Sequence, residues 1–245
     1  MAQTVDRKKD SALLAKRAAQ VQGGAARAAV LGVNDGLVST LCIVLGVAGA
    51  TQADAHPVLL AGFAGLIAGA ISMAAGEWIS VQSQVELFRG ILSDVRKLVK
   101  SDKELLGDEL AEDFKNDGMS DETAAQAVKE ISTNKNYLFN NFVQHVIGIN
   151  PDELGSPWTA AISSFLLFTA GAIVALGPWF FGGGSLAVSL SIIFTAIGGL
   201  GTGAYVAKSS GNSMVSGALR QLLIIIIASV VTYGVGYLFG TTTGI

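Results

Sequence analysis

The chain is short of charge: Asp, Glu, Lys and Arg make up 14% of its 245 residues, where a soluble domain carries about 25%. A soluble globule of this length would lack the polar surface to cover itself. The net charge is only −3, so the basic balance of a nucleic-acid-binding protein is missing. The 51% hydrophobic content excludes a disordered chain. A single cysteine, Cys42, leaves no disulfide framework within the chain and no Cys-cluster zinc site. With two histidines, His56 and His145, no Ser/His/Asp or Cys/His constellation has credible placement, and the chain is not read as an enzyme. Four prolines against thirty glycines fit closely packed membrane helices better than a loop-rich protein.

What the sequence does have is long apolar runs. A helix crosses the hydrocarbon core with about 20 mostly apolar residues, and five stretches qualify: 28–50, 57–81, 158–181, 186–207 and 216–239. The expected fold is therefore all-α and integral to a membrane, with five transmembrane helices per protomer and a small helical cytoplasmic insert. The expected organisation is an N-terminal cytoplasmic segment (1–27), helices 1–2 (28–85), the insert (86–157) and helices 3–5 (158–245). Segment 1–27 is not a secretory signal, because its charges continue to Arg17 with no apolar core before them.

Orientation follows from the basic residues. Six precede the first span, eight lie between spans 2 and 3, and Lys208 and Arg220 flank the turn between spans 4 and 5. Loops 51–56 and 181–185 and the tail 240–245 hold none. The N-terminus is expected in the cytoplasm and the C-terminus on the far side, in a bacterial inner membrane or a vacuolar membrane. Five spans make this pattern consistent, and an odd number excludes a simple two-fold duplication of the whole chain. Any symmetric pathway must then come from a homodimer.

The insert holds fourteen acids against eight bases. Ser101-Asp-Lys-Glu104 has a capping-box pattern, Ser120-Asp-Glu opens a second helix, and 136–148 reads as a third ended by Gly148 and Pro151. Ser156-Pro157 caps the third span. Span 2 is expected to run on as one helix, since no breaker stronger than Gly90 interrupts 80–98.

Two carboxylates stand inside the spans. Asp35, in GVNDGLVST, lies about two turns into the first. A buried acid there is expensive unless it faces a partner, water or a cation. It is read as a cation ligand or proton carrier, the alternative being a structural carboxylate tied to Asn34, Ser39 or Thr40. Gly32 and Gly36 beside it admit another helix. Met73 and Glu77, one turn apart in ISMAAGEWIS, share a face of span 2. A thioether with a carboxylate suits Fe²⁺ or Mn²⁺ better than Ca²⁺ or Mg²⁺, although Met73 alone reads equally as packing. Trp78 reads as an interfacial anchor, Cys42 as a small buried apolar residue or an extension of a soft pathway, and His56 and His145 as solvated stray histidines or, for His56, an exit-site ligand. Glu104, Asp108 and Glu112 form an acidic stripe at helical spacing in the insert, open to two readings: a metal site or a solvated face.

The segments Asn34-Asp-Gly-Leu-Val-Ser-Thr40, Ser72-Met-Ala-Ala-Gly-Glu-Trp-Ile-Ser-Val-Gln-Ser-Gln84 and Pro151-Asp-Glu-Leu-Gly-Ser-Pro-Trp158 resemble those of the vacuolar iron transporter family. The resemblance covers all five spans and their order. It implies a five-span homodimer that exchanges cytoplasmic Fe²⁺, and often Mn²⁺, for protons along a path at the dimer interface. By motif match Asp35 would be the path acid, Met73 the thioether and Glu77 a neighbouring carboxylate. Iron or manganese would be cargo, with no prosthetic group.

The departures fall in the insert. Relatives carry a glutamate-rich helix after span 2, where this chain reads Phe88-Arg-Gly-Ile-Leu-Ser-Asp-Val-Arg-Lys-Leu-Val-Lys100. A Glu pair expected before the Pro-Asp-Glu motif is replaced by Gln144-His-Val-Ile-Gly148. Arg96, Lys97 and Lys100 would repel a divalent cation. The leading expectation is a proton-coupled exporter of Fe²⁺, with Mn²⁺ as second cargo, whose partners are lipid, metal ion, protons and its own copy but no nucleic acid. Two alternatives stand beside it: a transporter of another substrate, and a non-transporting membrane scaffold whose insert docks a partner through Tyr137-Leu-Phe-Asn-Asn-Phe142.

Overall fold

A computed structural model describes residues 25–150 and 154–243. The lead-in at 1–24 and the Pro151-Asp-Glu153 part of the third motif lie outside these residues. Among the described residues eight α-helices follow one another: α1 (Ala25–Ala50), α2 (Ala55–Ser101), α3 (Lys103–Asn116), α4 (Asp121–Ile131), α5 (Lys135–His145), α6 (Pro157–Leu176), α7 (Gly184–Ser209) and α8 (Met214–Thr243). A 3₁₀ turn, Gly177–Phe181, follows α6. There is no strand among the described residues. Five helices, α1, α2, α6, α7 and α8, are long and apolar enough to cross a bilayer. The protein is an all-α integral membrane protein.

The described chain divides into two compact units, one of residues up to Ile79 and from Pro157 on, the other Ser80–Ser156. In the first, α1 is the central helix. Leu37, Leu41, Val44, Leu45 and Ala48 are all 1% exposed or less. Small residues let other helices reach its backbone. A Cβ on Gly36 would run into the Phe168 carbonyl of α6, and one on Gly236 of α8 would strike the Gly46 carbonyl. Such backbone approach is how membrane helices gain dispersion contact without a hydrophobic driving force between them. Helix α2 packs differently: Gly65 and Gly69 receive the side chains of Ile43 and Phe168 instead of a neighbouring backbone. At the far end Trp179 donates from Nε1 to Ser191 Oγ at 2.9 Å, and Ser191 donates in turn to the Ala175 carbonyl at 2.8 Å.

Helix α2 is 47 residues long, or about 70 Å at 1.5 Å per residue. It runs unbroken beyond span 2, as its lack of breakers predicts. The second unit has its own core. Leu106, Leu110 and Phe114 recur every four residues along α3 and meet Ala124, Val128, Leu138, Phe139, Phe142 and Val143. Val95 and Val99 of α2 join them, and the Arg96 guanidinium sits 5.0 Å over the Phe139 ring.

The helix starts need one correction. The cap of α3 is Asp102, whose carboxylate accepts from the Leu105 N–H at 3.1 Å, and not Ser101. Ser101 is the last residue of α2 and its hydroxyl donates to the Lys97 carbonyl. Ser120 caps α4 as expected. There Lys115 Nζ stands 2.8 Å from Asp121, and this hydrogen bond holds the Asp121 carboxyl below its ordinary range. The third insert helix is shorter than the predicted 136–148. Asn134 caps it, and it stops at His145, where Ile149 N–H turns back to the Val143 carbonyl and Gly148 takes φ +73°.

Candidate functional site

Asp35 lies on α1 between two kinds of neighbour. Gly32, Gly36 and Leu37 are buried against α6 and α7. Leu31, Asp35, Ser39 and Cys42, spaced by four, four and three, form a stripe that the other described helices leave partly open. The Asp35 carboxylate has no hydrogen-bond partner among the described residues. Ser39 instead donates its hydroxyl to the Asp35 backbone carbonyl. The suggested ties to Ser39 and Thr40 therefore do not hold the carboxylate.

Asn34 turns the other way. Its side-chain oxygen accepts a hydrogen bond from Gln221 Nε2 of α8, a partner 187 residues distant. Gln221 is 8% exposed and Asn34 is half-buried, so a partly buried amide pair sits next to the half-open acid. Sequence reasoning passed over Gln221. Its one signal was an uncharged polar residue inside the apolar run of the fifth span. Cys42, free and half-buried, lies beside Thr232 of α8.

Met73 and Glu77 sit one turn apart on α2 and both are half-buried. Met73 packs against the cluster that contains Val44, Ala70 and Phe168. Next to Glu77, Gly76 faces open space. Trp78 meets Trp158 edge to face with centroids 5.9 Å apart. Within one chain, Asp35 and Glu77 are not drawn into a cluster with a third His, Cys, Asp or Glu donor. Around Asp35 and Glu77 the described residues of one chain close no three-donor metal site.

A cavity of about 550 Å³ opens at the other end of this unit, lined by Gln52, Ser185, Ser189, Tyr233, Tyr237 and Thr241 among others. None of its lining residues is charged. It offers hydroxyls and backbone but no carboxylate. Gln52 and Ala53 in the turn beside it both have positive φ, 50° and 61°, and the Ala53 carbonyl accepts from the Gly184 N–H at 2.8 Å.

In the insert, Glu104, Asp108 and Glu112 lie along one exposed face of α3. They do not converge with a histidine or with one another into a three-donor group. His56 donates its backbone N–H to the Asp54 carboxylate at 3.1 Å in the exposed turn between α1 and α2.

Comparison with known proteins agrees with the motifs. A vacuolar iron transporter homolog 1 of Arabidopsis thaliana is 34% identical over 224 residues, 88% of this chain and 83% of its own length. Its namesake in Oryza sativa subsp. japonica is 32% identical over 220 residues, 87% of this chain and 73% of its own. A vacuolar iron transporter homolog 4 of the same rice is 59% identical, but over only 61 residues, 25% of this chain and 28% of its own. The VIT family profile matches residues 26–237, from the start of α1 almost to the end of α8, and the chain belongs to that family.

Proposed function

We propose that the protein moves Fe²⁺, and Mn²⁺ as a second cargo, out of the cytoplasm in exchange for protons, working as a homodimer. The observation that carries this reading is the half-open Asp35 carboxylate, held inside the first span with no hydrogen-bond partner among the described residues. A carboxylate at such depth costs about 2.5–3.5 kcal/mol on insertion scales. It is stable there as a neutral acid or beside a cation. Those two states exclude each other, and their exclusion is the simplest physical basis for exchange. Two copies apposed along the Leu31–Cys42 stripe would bring two carboxylates to one ion. This arrangement supplies the donors that one protomer lacks.

Met73 would add a soft donor that favours Fe²⁺ and Mn²⁺ over Mg²⁺, with Glu77 a further carboxylate on the route. The acidic stripe of Glu104, Asp108 and Glu112 would act mainly as a solvated face that raises the local cation concentration. Expected organisation remains that of a short cytoplasmic N-terminal segment, the spans and a cytoplasmic insert. The relatives' printed names, vacuolar iron transporter homologs, support iron as the cargo.

The test is Fe²⁺ uptake into proteoliposomes under an opposing pH gradient. Wild type is expected to accumulate Fe²⁺ and to move protons the other way. Asp35→Asn keeps the shape, removes the charge and is expected to lose at least tenfold in rate with the dimer intact. Uptake unchanged in Asp35→Asn would remove the acid from the path. Inactivity of the wild type toward every divalent ion would favour the scaffold reading.

A further inference from the structure

The cavity at the far end of the membrane unit takes no part in the transport reading, and its shape follows from how three helices cross. Near the turn that joins them, α7 and α8 meet backbone to backbone, and a Cβ on Gly203 or Gly217 would strike the other's carbonyl. Farther along, α8 lies against α1 instead. A Cβ on Gly49 would meet the Tyr233 carbonyl, and one on Gly240 the Ala50 carbonyl. Between Ser185, Val188 and Ser189 of α7 and Tyr233, Tyr237 and Thr241 of α8 a wedge of about 550 Å³ is left open. Small-ligand sites occupy about 300–1,000 Å³. The rim is fixed in place. Gln52 and Ala53 both hold positive φ there, and the Ala53 carbonyl ties the turn to the Gly184 N–H at the start of α7 at 2.8 Å.

Charge, polar groups and surroundings together select the ligand. No lining residue is charged, and no Lys or Arg occurs in 51–56, 181–189 or 233–245. Asp54, in the neighbouring turn, already accepts the His56 backbone N–H at 3.1 Å. An anionic headgroup or a bare metal ion finds no counter-charge here. The side chains of Gln52, Ser185, Ser189, Tyr233 and Tyr237 hydrogen-bond to no other described residue. Several hydroxyls elsewhere in the bundle are spent on the carbonyl four residues back, as at Ser39, Thr169, Ser209 and Ser229. The Ser189 hydroxyl makes no such bond to Ser185. One amide and four hydroxyls, all able both to donate and to accept, thus line a single cavity. Its surroundings are apolar. Val188 packs into the clusters beneath, while Leu186 and Leu238, next in sequence to lining residues, are exposed. Hydrocarbon chains can lie along the outside while a polar group enters the wedge.

We infer that the wedge binds a neutral polyhydroxyl group, the sugar headgroup of a membrane glycolipid. Sugar hydroxyls pair in both senses with the amide and hydroxyl side chains. The C–H faces of the sugar ring lie against Val188 and the apolar bodies of the two tyrosines. The site is separate from Asp35, and it stands whether or not the chain transports metal.

Native mass spectrometry tests it, on the full chain delipidated in a detergent that has no sugar headgroup. The probe is glucosyl diacylglycerol, compared with diacylglycerol and phosphatidylglycerol of the same acyl chains. The expected result is one glucosyl diacylglycerol retained per chain, at least tenfold more tightly than either comparison lipid. Tyr237→Phe combined with Ser189→Ala should weaken that retention at least fivefold. Tyr205→Phe, on α7 outside the cavity, should leave it unchanged. Tyr237, Ser189 and Tyr205 are all exposed, and circular dichroism checks that each variant keeps its helices. Free methyl glucoside at the same concentration should not displace the lipid. Equal retention of diacylglycerol, preference for phosphatidylglycerol, or unchanged retention in the double variant would each overturn the assignment. Displacement by methyl glucoside would overturn the glycolipid in favour of a soluble sugar. None of these results touches the Asp35 proposal, which rests on uptake.

Discussion

Asn34 and Asp35 are adjacent polar residues with opposite fates, and the difference is set by what each one meets. Asn34 finds the Gln221 amide across the α1–α8 contact, while Asp35 faces the open stripe of its helix. An amide pair within a membrane bundle contributes about 0.6 kcal/mol on average and up to about 1.7. Gln221→Leu removes the donor, keeps the volume and leaves the Asn34 oxygen without its partner. It is expected to destabilise the protein by about 1 kcal/mol, read from unfolding in mixed micelles. If the pair sets the rotation of α1 around its axis, Gln221→Leu should lower Fe²⁺ uptake more than its small stability cost implies. Uptake that simply tracks the folded fraction would show that α1 is held by packing alone. Asp35 itself was legible in the sequence, since a charge inside an apolar run marks itself. Gln221 as its neighbour's partner was not, because nothing local connects residues 187 positions apart.

At the scale of elements, two modes of contact predict opposite responses to one added methyl. Gly36 sits where a Cβ would strike the Phe168 carbonyl, whereas nothing lies within 4 Å of a Cβ on Gly76. Gly36→Ala should therefore force α1 and α6 apart at a cost of about 1–3 kcal/mol. Gly76→Ala should gain up to about 1 kcal/mol from helix propensity alone. Chemical unfolding of the two variants side by side decides it, and equal effects would deny the backbone contact between α1 and α6. Such contacts were only half visible in the sequence: the glycines announced close approach without saying which helix approaches. The same limit explains the α3 cap. Ser101 and Asp102 both satisfy a capping pattern, but α2 runs on through Ser101 and uses its hydroxyl on Lys97, which leaves Asp102 to cap.

For the whole molecule the decisive property is which way the chain threads the membrane. Every Lys and Arg falls before the first span, between the second and third, or around the turn joining the last two, and such asymmetry sets insertion. In a Cys42→Ala background, Ser213→Cys in the turn between α7 and α8 should react with a membrane-impermeant maleimide only from the cytoplasmic side. Asp54→Cys, in the exposed turn between α1 and α2, should react only from the opposite side. This matters for the proposed exchange because a chain that inserts in one sense can pair with its copy only about an axis along the membrane normal. Such an axis places both Asp35 carboxylates at one depth, which a shared ion requires. If each reporter were labelled from both sides, the copies would insert in both senses. Paired copies could then stand antiparallel, their two acids at different depths, and a single ion could not bridge them.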